Sequence, residues 1–229
     1  MFLVDYEYSG KKFELFPYCT SQEKDLLLLG AMESSNLDHA LQICGICDDT
    51  LSSLSDLEKT AMLYKLREIS VGEDINLKFK CKHCNSGNEN TLNIADIVTS
   101  SNIKNDNITD MFINLTEDTL PKFVNVDVDE LNIDEYEDLL KEVKESITKF
   151  KFVQHAVCQK CGLENPIRID EPNFVIDNMS EDSLPSMYQT YNDMTFFGKY
   201  TKQDIDSLYP FERVILVSLL NRTREDLNK

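Results

Sequence analysis

Between Asn76 and Ile94 the chain alternates apolar and polar residues twice. Leu77, Phe79 and Cys81 fall on one face and Asn76, Lys78 and Lys80 on the other, the period-two signature of a half-buried strand. A Cys-x-x-Cys step (Cys81, Cys84) and small polar turn residues with Gly87 follow, then a shorter alternation through Leu92 and Ile94. The pattern predicts a strand, a knuckle and a return strand. It recurs later in the chain. His155, Ala156 and Val157 lead into Cys158-Gln159-Lys160-Cys161-Gly162, and Ile167 and Ile169 alternate after it.

Upstream, residues 1–18 alternate weakly through Phe2, Val4, Tyr6, Tyr8, Phe13 and Leu15 around Ser9-Gly10, which predicts a hairpin. Thr20-Ser21-Gln22-Glu23 reads as a capping box, with Thr20 accepting from the backbone and Glu23 reaching back. It opens a helix through Leu26–Leu29 that is expected to end near Ser34-Ser35. A second helix is expected over about 36–47. Ser55-Asp56-Leu57-Glu58 is another capping box, and the helix it starts runs to Ile69 and stops at Gly72. Three helices thus lead into the first knuckle.

Between the knuckles, residues 99–110 read as a polar, Asn-rich loop, and Phe112, Leu115 and Phe123–Val128 as strands. Asn132 to Glu135 caps a helix whose apolar face is Tyr136, Leu139, Leu140, Val143 and Ile147. After Pro172 helices dominate. Ser180–Leu184 opens one through Met187, Tyr188, Tyr191 and Met194, closed by Gly198; Thr201–Asp204 caps a short one. Pro210 begins the last, which Val214–Leu220 make apolar most of the way round. Such a helix must be buried, in this fold or against another chain.

The expected fold class is α+β: helical N- and C-terminal segments around a split zinc ribbon of two Cys-x-x-Cys β-hairpins, with an α/β insertion. The segments are 1–75, 76–172 with the insertion 95–150, and 173–229. Two matching knuckles supply four thiolates, Cys81, Cys84, Cys158 and Cys161, the ligand set of a tetrahedral structural Zn²⁺ site. Four protein ligands leave no position for substrate or water, so catalysis at the metal is not expected.

Composition narrows the class. The chain of 229 residues is 41% hydrophobic and 28% charged, that of a soluble globular protein, with a net charge of −18. Phosphate backbones are repelled overall, and the one tight basic group, Lys78, Lys80 and Lys82, reads as a solvated strand face, so nucleic-acid binding is discounted. Seven cysteines, six in Cys-x-x-Cys steps, do not resemble a secreted disulfide framework. Met1–Tyr6 is no signal peptide and no apolar run is long enough to cross a bilayer, which points to a reducing cytoplasm and no membrane partner.

The third pair, Cys44 and Cys47, admits a redox reading or a half-site with Cys19 and His39, but its apolar helical neighbours favour small buried hydrophobes. The acids from Asp127 to Asp138 lack the spacing and central glycine of a calcium loop and read as a solvated face. His39, His83 and His155 have no catalytic partner pattern, and no phosphate-cradling, dinucleotide, zinc-protease or serine-hydrolase motif is present. Nothing nominates an enzyme.

Four features in order resemble the baseplate hub assembly proteins of T-even-type contractile-tailed phages. They are Thr20-Ser21-Gln22-Glu23-Lys24-Asp25-Leu26-Leu27; Leu66-Arg67-Glu68-Ile69-Ser70-Val71-Gly72-Glu73 before the first knuckle; the second knuckle across a long insert; and Leu208-Tyr209-Pro210-Phe211-Glu212-Arg213 before the final helix. The resemblance implies a non-enzymatic assembly factor or minor component of the tail baseplate hub. It would work in the host cytoplasm on hub or other tail proteins, with retention in the virion tail and oligomeric state left open. The competing reading is a transcription-associated zinc-ribbon protein that binds RNA polymerase. A rubredoxin-type iron carrier would use the same four thiolates, and a redox enzyme would use Cys44 and Cys47.

Overall fold

The computed structural model describes residues 3–8, 11–32, 36–94, 131–149, 153–169 and 171–227. The strands proposed around Phe112, Leu115 and Phe123–Val128 lie outside them. The described residues form three antiparallel hairpins: β1 (Val4–Tyr8) with β2 (Lys11–Leu15), β3 (Asp74–Lys80) with β4 (Gly87–Asn93), and β5 (Val153–Val157) with β6 (Glu164–Arg168). Each forms its own two-stranded sheet.

Helix α4 (Asp56–Ser70) is the centre of the core. Ser55 and Glu58 close the expected capping box on it: the Glu58 N–H donates to Ser55 Oγ, and the Ser55 N–H to Glu58 Oε2. Ala61, Met62, Leu63, Tyr64, Leu66 and Arg67 are all buried, so consecutive residues, not one stripe, are covered. Around α4 sit β1 and β2, α1 (Thr20–Ala31), α2 (Leu37–Ile43), the inner ends of β3 and β4, and the segment carrying α6 (Pro172–Asp177). The short helix α3 (Asp48–Leu51) lies between α2 and α4. The insertion contributes α5 (Ile133–Lys149), whose start is closed by reciprocal Asn132 and Glu135 hydrogen bonds, as expected.

The chain beyond the second knuckle returns to this core through buried polar contacts as well as apolar ones. Ile169, Val175, Ile176 and Met179 join the cluster. Tyr18 Oη donates to the Met179 carbonyl and Tyr64 Oη to that of Ile169. The buried Arg67 guanidinium is spent on three carbonyls, those of Asn178 (2.7 Å), Asp74 (2.6 Å) and Gly72. A cation taken out of water needs such a full set of acceptors. Helices α7 (Leu184–Phe196), α8 (Lys202–Ser207) and α9 (Pro210–Leu227) then pack on α1.

Two sequence expectations change here, and a third, burial of the last helix in this fold or against another chain, loses its first alternative. Thr20 is not the cap of α1: its N–H and hydroxyl both donate to the Leu208 carbonyl, at 2.8 and 2.9 Å. The cap is Cys19, whose N–H donates to Gln22 Oε1, while Glu23 is buried against Arg213 of α9. Helix α2 is shorter than 36–47, because Cys44 ends it and Gly45 turns away with φ 91°. The last helix is not buried within this fold. It inserts Arg213, which also reaches Asp182 at 2.7 Å, and leaves Phe211, Val214, Ile215 and Leu219 exposed. Of the C-terminal apolar side chains, Met179, Met187 and Met194 are buried, and Tyr188, Phe196 and Phe197 face solvent.

Candidate metal centre

Each of the last two hairpins carries its Cys-x-x-Cys step between its strands, and both connections fold alike. The Cys81 N–H donates to the Ser86 carbonyl and the Cys158 N–H to that of Leu163, both at 2.9 Å. The return bonds run from Asn85 to the Cys81 carbonyl and from Gly162 to that of Cys158, also at 2.9 Å. The turn needs a left-handed residue at this point, and Asn85 (φ 56°) and Gly162 (φ 71°) provide it. The backbone N–H groups of His83 and Cys84 turn toward the Cys81 sulfur, and those of Lys160 and Cys161 toward Cys158.

The two knuckles face each other and exchange side chains. Lys82 N–H donates to Asn165 Oδ1 and Gln159 N–H to Asn88 Oδ1, both at 2.8 Å. Each of these asparagines stands seven residues after the first cysteine of its own knuckle. Each also ties its Nδ2 to its own turn: Asn88 to the Ser86 carbonyl at 2.8 Å, Asn165 to that of Leu163 at 3.1 Å. Both are buried. The arrangement repeats about an approximate local two-fold.

That docking gathers Cys81, Cys84, Cys158 and Cys161. Their Sγ atoms all lie within 4.8 Å of one another, with Cys81–Cys161 and Cys84–Cys158 at 3.6 Å. A disulfide would bring two sulfurs to about 2.05 Å, and all four cysteines are free. A tetrahedron of thiolates about 2.3 Å from an ion has edges of about 3.8 Å, so the group can hold a metal ion. Cys81 and Cys158 are buried and Cys161 is exposed.

The local electrostatics are those of thiols competing for charge. Cys158 is held down at about 5, foremost by the Ser86 hydroxyl 3.2 Å away and then by the Cys161 and Lys160 N–H groups. For Cys81, desolvation opposes ionisation, but the Cys84 and His83 N–H groups and the Asn165 amide together lower it. Cys161 goes the other way. The Leu163 N–H favours its thiolate, yet desolvation and the sulfurs of Cys158, Cys81 and Cys84 push it up to about 12. Four adjacent thiols cannot all ionise alone; a divalent cation removes the conflict.

The histidines stay outside the cluster. His83 Nε2 sits 3.3 Å from the Glu164 carbonyl, and His155 Nδ1 lies 3.5 Å from the Glu164 carboxylate. No other group of three or more such ligands occurs among the described residues. Cys44 is the buried hydrophobe expected, and burial pushes its thiol up to about 12. Cys47 is not. It is exposed at the start of α3, and the Thr50 hydroxyl and N–H lower its pKa. Lys78 is exposed and pairs with Glu89 across the hairpin at 3.4 Å, which breaks the basic face.

Sequence reading missed Asn88, Asn165 and Ser86. A signal for the asparagines existed: aligning the two knuckles on their first cysteines puts Asn at the same offset in both. Nothing comparable marks Ser86, because Leu163 is its counterpart.

No helix among the described residues is long and apolar enough to cross a membrane. No curated protein and no solved structure matches the chain. A sequence model of the family described as T4 bacteriophage base plate protein matches residues 2–125, a span that includes the first knuckle and ends before the second. That match covers more than half of the 229 residues, and the chain belongs to the T4 bacteriophage base plate protein family.

Proposed function

We propose that this protein is a non-enzymatic assembly factor or minor component of the phage tail baseplate hub, built on a zinc ribbon. Cys81, Cys84, Cys158 and Cys161 are its metal ligands and Zn²⁺ is the ion. The observation that carries the reading is the closed four-sulfur cluster between two docked hairpins. Bound there, the ion would neutralise the thiolates and join hairpins far apart in sequence, without an open position for substrate. The chain's own part is to aim the sulfurs, through the knuckle N–H groups, Ser86 and the Asn88/Asn165 exchange.

Family membership supports contact with other baseplate or tail proteins. Exposed Tyr188, Phe196 and Phe197 on the C-terminal helices supply apolar surface for it. The host cytoplasm is where such assembly takes place. Affinity purification of the tagged protein from infected cells, with mass spectrometry, tests the reading. Stoichiometric recovery of hub, spike or tape-measure proteins supports it. Recovery of RNA polymerase subunits instead would discard it for the transcription-associated zinc-ribbon reading.

A further inference from the structure

Helix α9 carries an apolar stripe that its own fold leaves open. At 100° per residue, Phe211, Val214, Ile215, Ser218, Leu219 and Arg222 fall on one side, and all six are exposed. The four apolar members range from 46% to 56% accessible. The opposite side carries the buried Arg213 onto Glu23 of α1. A surface helix ordinarily turns such a stripe inward.

The stripe is complementary to itself. Reversal about the point between Leu216 and Val217 sets Phe211 against Arg222, Val214 against Leu219 and Ile215 against Ser218. These are a cation on an aromatic face, two branched aliphatics, and a large side chain over a small one. Arg222 is exposed and makes no ion pair with another described residue. Charge permits the approach. Glu212, Glu225 and Asp226 balance Arg213, Arg222 and Arg224, so Pro210–Leu227 is neutral on a chain of net charge −18. Repulsion between the two acidic bodies is screened beyond ~8 Å at physiological ionic strength.

We propose that α9 is the interface with a second copy of this chain, an antiparallel helix pair with Phe211 of each copy on Arg222 of the other. Antiparallel packing also opposes the two helix dipoles favourably. The contact runs along ~16 Å of helix. A single helix face is smaller than the ~800 Å² per partner of a standard interface, so the dimer is weak and concentration-dependent. The proposal needs no phage partner and stands apart from the assembly reading.

Sedimentation equilibrium of the full chain from about 1 to 200 µM tests it. The expected result is a monomer–dimer equilibrium. Leu219→Glu abolishes it, with the thermal midpoint unchanged at the dilute end of the range where both proteins are monomers, because the site is exposed there, and Phe196→Ser leaves it intact. Phe211→Arg weakens it at least tenfold, and adding Arg222→Phe restores it, since the cation–aromatic pair is then exchanged between positions. A monomer at every concentration overturns the proposal, as does a dimer indifferent to Leu219→Glu. Failure of the double variant to recover overturns the antiparallel register.

Discussion

The two knuckles reach one backbone geometry with different residues. At the left-handed position the first uses Asn85 and the second Gly162; one residue on, Ser86 answers to Leu163. What both keep is the pair of cysteines and the asparagine seven residues after the first. The difference separates what the arrangement requires from what it tolerates. Sulfur, and a side-chain carbonyl for the facing knuckle, are required. The left-handed residue needs only to avoid strain, and the hydroxyl of Ser86 is an addition made on one side alone.

The strongest way to break this equivalence is to remove a sulfur. Cys158→Ser is expected to take zinc content from one per chain to none by elemental analysis and to lower the thermal midpoint by at least ~10 °C. Cys81→Ser should do the same. Full zinc retention in either variant would falsify the shared site.

The asparagine exchange comes next. Asn165→Ala removes the acceptor of the Lys82 N–H, and Asn88→Ala that of the Gln159 N–H, each at a cost of ~0.5–1.5 kcal/mol in denaturant unfolding of the zinc-bound protein. Nearly equal losses are expected from the two, and a large inequality would deny the local two-fold. A smaller effect separates the turns themselves. Gly162→Ala costs ~1 kcal/mol from backbone strain alone, since an added Cβ meets nothing within 4 Å, whereas Asn85→Gly is neutral or gains ~0.5 kcal/mol.

The subtlest prediction concerns Ser86. Because the Cys158 pKa is depressed to about 5 from a reference of 9.0, its thiolate contributes fully above about pH 9 and the contribution drains as pH falls through about 5. Ser86→Ala removes the leading cause of that depression, so protons compete with the metal at higher pH. The midpoint of acid-induced zinc release should rise by a fraction of a unit, followed with a chromogenic chelator. Leu163→Ala should leave it where it was.

Local patterns were legible wherever the responsible interaction is itself local. The Ser55/Glu58 and Asn132/Glu135 caps, the first hairpin and both knuckle hairpins depend on residues a few positions apart. Their periodicity and spacing therefore stand in the sequence. Where a distant partner decides, the reading failed. Thr20 has the chemistry of a cap but is engaged by Leu208, 188 positions away, and the carboxylate assigned to the cap lies under Arg213. The apolar run of α9 was visible, but a sequence does not reveal that a chain turns its arginine inward and its Phe211, Val214, Ile215 and Leu219 outward. Cys44 and Cys47 carry identical side chains three residues apart; only the turn at Gly45 sends one into the core and the other to solvent.

The distance along the chain between the half-sites orders events in time. Cys84 and Cys158 are 74 residues apart, so at ~5–20 residues per second the ribosome delivers the second knuckle roughly 4–15 s after the first. During that interval the two thiols of the first knuckle wait without the pair that completes their cluster. Closure of the centre is thereby a late event that reports completion of the whole intervening stretch. A chain truncated before Cys158 can never gather the four sulfurs.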